Sequence, residues 1–263
     1  MSTESVSPPR RLTVLLAEDD ELNQMLSVSI FKRIGWHLDI VDNGALVIEK
    51  LKQGAYDLVL MDVQMPVMDG YETTRKIRSE LSSPAGNIPI IAVTAHAQQS
   101  EIDKCRIVGM NDYIYKPFKP DELIAKILAL VDGDRKVNVV QKKDEVESGE
   151  VINLKSLYLT CANSPDIVKN VLGAFLAETP LRMTEIKQLF EAEDWAGFQV
   201  ICHKMKSSFA LVGAEAIRKA LEEMEHDCAN NNIDKKKFRI LVDSVLELSL
   251  RAEDEIKKEI SAH

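Results

Sequence analysis

Asp62 and His203 are the side chains whose type and surroundings best suit them to accept a transferred group. Asp62 ends the apolar run Leu58-Val59-Leu60-Met61 and precedes Val63-Gln64-Met65-Pro66, so a lone carboxylate stands at the tip of a strand beside a turn. His203 lies in His203-Lys204-Met205-Lys206-Ser207-Ser208, an imidazole on an amphipathic helix. A carboxylate oxygen or an imidazole nitrogen can each attack phosphorus and hold a phosphoryl group covalently. Three further signals accompany Asp62. Glu18 and Asp19 follow the run Leu12–Ala17, Thr94 ends Ile90–Thr94, and Lys116 follows Asp112–Tyr115. Three carboxylates in one crevice would repel one another unless a divalent cation joined them, and hard oxygen ligands point to Mg²⁺. Lys116 would then add a positive contact to phosphoryl oxygens, and the Thr94 hydroxyl a hydrogen bond.

The elements that must position these groups are legible in the apolar pattern. Short strand-like runs occur at Leu12–Ala17, His37–Val41, Tyr56–Met61, Ile90–Thr94 and Asp112–Tyr115. Helical periodicity fills 21–34, 44–53, 71–81, 100–108 and 119–131 between them. Alternation of this kind predicts crossover connections and a parallel sheet covered on both faces, with reactive groups gathered beyond the carboxyl ends of the strands. Residues 132–150 are polar and without sustained period and are expected to be a linker. From Asn153 onward, within a second domain expected over 151–263, the chain carries almost no strand signal. Helices are expected near 165–178, 181–192, 195–211, 214–230 and 235–260, with turns at Pro165, Pro180, Gly213 and Asn230-Asn231-Asn232, which predicts an up-and-down helical bundle. Residues 1–11 are expected to form a disordered tail.

With those residues in place, 12–131 resembles a response-regulator receiver domain. The resemblance rests on Glu18-Asp19, on Met61-Asp62-Val63-Gln64-Met65-Pro66-Val67-Met68-Asp69-Gly70, on Thr94-Ala95 and on Lys116-Pro117. It implies a doubly wound, flavodoxin-like fold of five parallel strands, with Asp62 as the phosphoacceptor. It also implies Mg²⁺ held by Asp19, Asp62 and the main-chain carbonyl of Gln64, with Glu18 reaching the metal through water. Thr94 and Tyr113 are implied as switch residues, Tyr113 standing three before Lys116. Asp20 fills a place where the hybrid-kinase subgroup usually has Asn, and its role stays open. A phosphohydrolase of the haloacid-dehalogenase type shares a strand-end Asp nucleophile, but it needs a second Asp two residues later, where this chain has Gln64.

On the second half, Phe198, Ile201, Cys202, Met205, Phe209 and Val212 predict the buried stripe of one helix. Gln199, His203, Lys206, Ser207 and Ala210 form a separate polar, small-sided stripe. There Lys206, with Lys204, would balance phosphoryl charge, and Ser207 would let a partner approach. No Glu-x-x-His or His-x-x-x-His pairing accompanies His203, which argues against a metal site. The string His203-Lys204-Met205-Lys206-Ser207-Ser208 followed by Leu211-Val212-Gly213-Ala214 resembles the histidine-containing phosphotransfer (HPt) family, in which one exposed His carries the phosphoryl group. That family most often has Gly where Ser207 stands. The order of the two resemblances is that of hybrid histidine kinases.

A net charge of −9 argues against nucleic acid or an anionic membrane as partner. The four scattered cysteines suit reduced thiols in a cytoplasmic protein. No segment has the apolar length of a membrane span or the apolar core of a signal peptide. The expected partners are a sensor histidine kinase or other phosphohistidine donor, and another receiver or HPt domain. Nothing in the sequence supplies a kinase ATP site, so a phosphotransfer intermediate is expected rather than an enzyme. A linker of 19 residues spans roughly 20–25 Å if flexible, enough to keep two sites at high mutual concentration. A conformational adaptor, in which phosphorylation reshapes the protein without transfer between Asp62 and His203, remains the alternative.

Overall fold

The computed structural model describes residues 11–94, 99–116, 118–131, 151–161 and 163–262. Residues 1–10 of the expected tail (1–11), the linker (132–150), Ala95, His96 and Pro117 lie outside the described residues. The chain forms two compact units, one built on a sheet and one helical.

In the first half, strands β1 (Thr13–Ala17), β2 (His37–Val41), β3 (Leu58–Asp62), β4 (Ile90–Thr94) and β5 (Asp112–Tyr115) alternate with helices α1 (Glu21–Ile34), α2 (Gly44–Gln53), α3 (Gly70–Glu80), α4 (Gln99–Val108) and α5 (Pro120–Val131). A single turn of 3₁₀ helix, Ala85–Asn87, precedes β4. The sheet order is β2-β1-β3-β4-β5, the doubly wound arrangement whose order reverses between β1 and β3. β3 and β4 are buried along their whole length, which is why both read as unbroken apolar runs rather than alternating ones. The β3 strand begins at Leu58 instead of the expected Tyr56 and includes Asp62 as its last residue. Tyr56 turns its hydroxyl to Asp39 on β2, donating at 2.6 Å.

Parallel register sets the functional edge. Ala17 of β1 pairs with Met61 of β3, so Glu18 comes level with Asp62; Asp62 pairs with Val93, one residue before Thr94. The loop after β3 is fixed from both ends. Gln64 N–H donates to the Asp62 carboxylate at 3.2 Å, Gly70 N–H to the Val63 carbonyl at 3.0 Å, and Gly44 N–H, at the start of α2, to the Met68 carbonyl at 3.1 Å. Asp69 caps α3 by accepting from Glu72 N–H at 2.7 Å. Within the loop Met68 N–H reaches the Pro66 carbonyl at 2.7 Å across Val67, whose φ of 69° puts a β-branched residue in the left-handed region. Gly70 is required where it stands, because a Cβ there would collide with the Asp62 carbonyl oxygen. Gly70→Ala is therefore expected to lower unfolding stability by about 1–3 kcal/mol, measured as a lower urea midpoint with unchanged slope. An unchanged midpoint would show that the loop relaxes freely.

The second half contains helices α6 (Lys155–Thr160), α7 (Pro165–Glu191), α8 (Trp195–Leu211), α9 (Glu215–Ala229) and α10 (Lys235–Ala262). Two expectations need correction. The turn placed at Pro180 does not exist: α7 runs through it as one helix of 27 residues. Pro180 forfeits one backbone hydrogen bond, but Phe175, Thr179, Met183, Ile186 and Phe190 form one continuous buried stripe across it. Packing on both sides overrides the local break. The six-residue α6 had not been expected, and it is too short to show a period.

The bundle core is aromatic. Phe175 and Phe209 meet edge-on at 5.4 Å, and Phe190, Trp195, Phe198 and Phe238 form a second cluster with centroids 5.8–6.1 Å apart. The expected α8 stripe, from Phe198 through Val212, is buried throughout. Gly213 ends that helix at φ 68°, against the Asn153 carbonyl, and the short turn makes α8 and α9 antiparallel neighbours.

Candidate functional site

Two clusters of side chains able to do chemistry stand out among the described residues, one in each half. At the carboxyl edge of the sheet, oxygens of Glu18, Asp19 and Asp62 all lie within 4.8 Å of one another. Glu18 is 2 % exposed and Asp62 4 %, while Asp19 is half-buried. Three carboxylates this close, two of them withdrawn from water, form a strongly negative pocket that suits a hard divalent cation. Thr94 is buried at the end of β4; Lys116 follows β5 and is half-buried, as is Tyr113. The Gln64 side chain is exposed. Asp20, whose role the sequence left open, acts as the cap of α1: its carboxylate accepts from Asn23 N–H at 3.2 Å and its carbonyl from Gln24 N–H at 3.0 Å. α1 thus begins directly behind the acidic pair.

In the bundle, His203 Nδ1 stands 2.8 Å from Glu225 Oε1, and Lys206 Nζ donates to Glu225 Oε2 at 2.6 Å. Glu225, on α9, was missed by the sequence reading. Burial alone would push its carboxyl upward, but the hydrogen bond and charge of His203, joined by Lys206, outweigh this and hold it at about 2. A carboxylate can only accept, so His203 Nδ1 carries the donated proton, and in the neutral imidazole Nε2 is the nitrogen that offers a lone pair. The His203 side chain is 16 % exposed.

The polar stripe expected on α8 is corrected at two positions. Lys206 is 1 % exposed, with its ammonium paired to Glu225, and does not stand on a solvated face. Ser207 is also buried, whereas Lys204 is half-buried. A buried ammonium needs a carboxylate partner, and the nearest turn of α9 provides one.

A doubly wound five-stranded domain with an acidic cluster at its switch point, followed by a helical bundle with a carboxylate-bound histidine, defines a two-module architecture. Residues 14–128 match the response regulator receiver domain and residues 170–260 the Hpt domain. The chain therefore carries a receiver domain followed by an Hpt domain, the pair used in two-component phosphorelays. It is 27 % identical over 220 residues to the sensor protein EvgS of Escherichia coli K12, covering 84 % of this chain and 17 % of that one. Over 222 residues it is 27 % identical to the aerobic respiration control sensor protein ArcB of the same strain, covering 83 % and 28 %. Hybrid signal transduction histidine kinase B of Dictyostelium discoideum is 37 % identical over 124 residues, 44 % of this chain and 6 % of that one. The chain thus spans under a third of the length of each of these relatives. Among solved structures, the receiver domain of a Pseudomonas aeruginosa sensor histidine kinase, determined with magnesium in its active-site cleft, shares 35 % identity with a TM-score of 0.44, covering 47 % of this chain and 99 % of that one. No helix among the described residues is long and apolar enough to cross a membrane.

Proposed function

We propose that this chain is a phosphorelay intermediate: Asp62 accepts a phosphoryl group from a phosphohistidine donor, and His203 carries one exchanged with a receiver. The observation that carries this reading is the Glu18–Asp19–Asp62 cluster at the switch point, found in the same chain as an imidazole whose Nδ1 is held by Glu225. An Asp62 oxygen attacks phosphorus as the P–N bond of the donor breaks, its electron pair returning to the imidazole; the product is an acyl phosphate. Lys116 and Thr94 meet the phosphoryl oxygens, and Tyr113 responds to the movement of Thr94. The acidic cluster fits Mg²⁺, which Asp19, Asp62 and the Gln64 carbonyl would hold, with Glu18 reaching it through a water. Bound there, the ion would neutralise charge on the phosphoryl oxygens.

At His203, Nε2 attacks the phosphorus of an aspartyl phosphate as the P–O bond to the carboxyl breaks. The imidazole becomes cationic, and Glu225 stabilises it through the Nδ1 proton. Lys204 stands beside the incoming phosphoryl charge, and the small, buried side chain of Ser207, one turn on from His203, lets a partner's loop come close. The donor is a sensor histidine kinase or another phosphohistidine protein, and the setting is cytoplasmic. Neither site hydrolyses ATP, so the chain passes phosphoryl groups without being a kinase.

The test is to label wild type, Asp62→Ala and His203→Ala chains with acetyl phosphate, an acyl donor, and Mg²⁺. Label that survives acid but not alkali is acyl phosphate; label with the opposite behaviour is phosphohistidine. The relay reading expects both in wild type, with the histidine species lost in Asp62→Ala. If wild type holds only acyl phosphate while a separate charged receiver does label His203, the chain acts as a conformational adaptor instead.

A further inference from the structure

Strand β5 and helix α5 meet at a cluster that joins the proposed switch residue Tyr113 to two side chains outside both sites, Asp112 and Lys126. Lys126, on α5, donates to both carboxylate oxygens of Asp112 at 3.0 and 2.9 Å. Asp112 also accepts from the backbone N–H of Tyr113 at 2.8 Å. The same ammonium stands 5.2 Å from the centre of the Tyr113 ring. The ring also packs against the apolar cluster of the sheet that includes Met61, Ala92 and Met110. Asp112 and Lys126 side chains are 29 % and 23 % exposed, so the pair is partly withdrawn from screening solvent.

This geometry has a mechanical consequence. The ammonium attracts the face of the ring, and its tether is the residue immediately before the ring. If the ring moves, Lys126 cannot follow without giving up both carboxylate contacts. Conversely, leaving the ring where it stands satisfies cation, carboxylate and aromatic face together.

We propose that Lys126 is a positioning residue that restrains Tyr113, and so sets how tightly the receiver binds a phosphoryl group at Asp62. This rests on the reading of Asp62 as phosphoacceptor and Tyr113 as a residue that moves in response. Removing the cation frees the ring, and a site coupled to ring movement then binds its ligand more tightly, because less must be undone on binding.

The experiment is titration of the full chain with beryllofluoride in the presence of Mg²⁺, followed calorimetrically. Lys126→Met is expected to lower the dissociation constant by about threefold to tenfold, and Lys126→Arg to leave it near wild type. Asp112→Asn, which keeps an acceptor for Tyr113 N–H but releases the ammonium, is expected to act in the same direction and guards against misfolding of the first variant. In a Tyr113→Ala background, Lys126→Met is expected to have no effect, a dependence that a merely structural role would not show. An unchanged or weaker affinity in Lys126→Met and Asp112→Asn would overturn the proposal, as would an equal effect without Tyr113. Failure of wild type to bind beryllofluoride at all would instead overturn the assignment of Asp62.

Discussion

Asp62→Ala is expected to abolish acyl-phosphate formation, lowering uptake from a small phosphodonor by more than about a thousandfold. Glu18 and Asp19 leave from the exit of β1, and in this reading they hold the metal rather than attack phosphorus. The same substitution is expected to leave the fold intact or raise its melting temperature when Mg²⁺ is absent. It removes one of three carboxylates whose oxygens lie within 4.8 Å of one another, and thus part of their mutual repulsion. Loss of labelling together with a lower melting temperature would point to a structural role for Asp62. Retained labelling would show that another residue accepts the group.

The second large effect is at Glu225, and two substitutions separate its roles. Glu225→Ala leaves the Lys206 ammonium, 1 % exposed, without its carboxylate. Breaking a buried pair in this way costs about 3–5 kcal/mol, a large share of the stability of an ordinary domain. Glu225→Gln keeps the shape and one acceptor but not the charge. It is expected to fold, while phosphorylation of His203 by phosphoramidate falls about tenfold to hundredfold, because the Nδ1 proton and the cationic imidazole lose their counter-charge. Equal labelling of wild type and Glu225→Gln would show that the contact only packs the helices together.

Glu225 also predicts a pH dependence. Its carboxyl is depressed to about 2 in the folded chain from an ordinary value of 4.5. A depressed carboxyl contributes stability that is fully present above the unfolded value and lost as pH falls through the folded one. Up to about 3 kcal/mol should therefore disappear between pH 4.5 and 2. Acid unfolding of Glu225→Gln should lack this component.

The receiver half was legible because its chemistry sits at strand ends. Each of Glu18, Asp62, Thr94 and Lys116 follows or closes an apolar run, so the parallel topology alone brings them to one edge, whatever the details of packing. The bundle was less legible, for physical reasons. The contact between His203 and Glu225 joins residues 22 apart across the α8–α9 turn, and only the rotation of one helix against the other decides it. A signal did exist: Glu225 falls one turn after Leu221 and three before Cys228, on the buried face of α9, where a carboxylate must have a partner. The expected solvation of Lys206 failed because helical spacing shows which residues share a face, not which face a neighbouring helix covers. Pro180 misled because a proline is a local signal, and the stripe from Phe175 to Phe190 outweighs it.

The most direct measurement is peptide mass spectrometry of the full chain after treatment with acetyl phosphate and Mg²⁺, with the acyl phosphate trapped by reduction before digestion. The modification is predicted on the peptide containing Asp62, and to vanish when the metal is chelated beforehand. An unmodified Asp62 peptide, or a modification that forms equally well without the metal, would contradict the account.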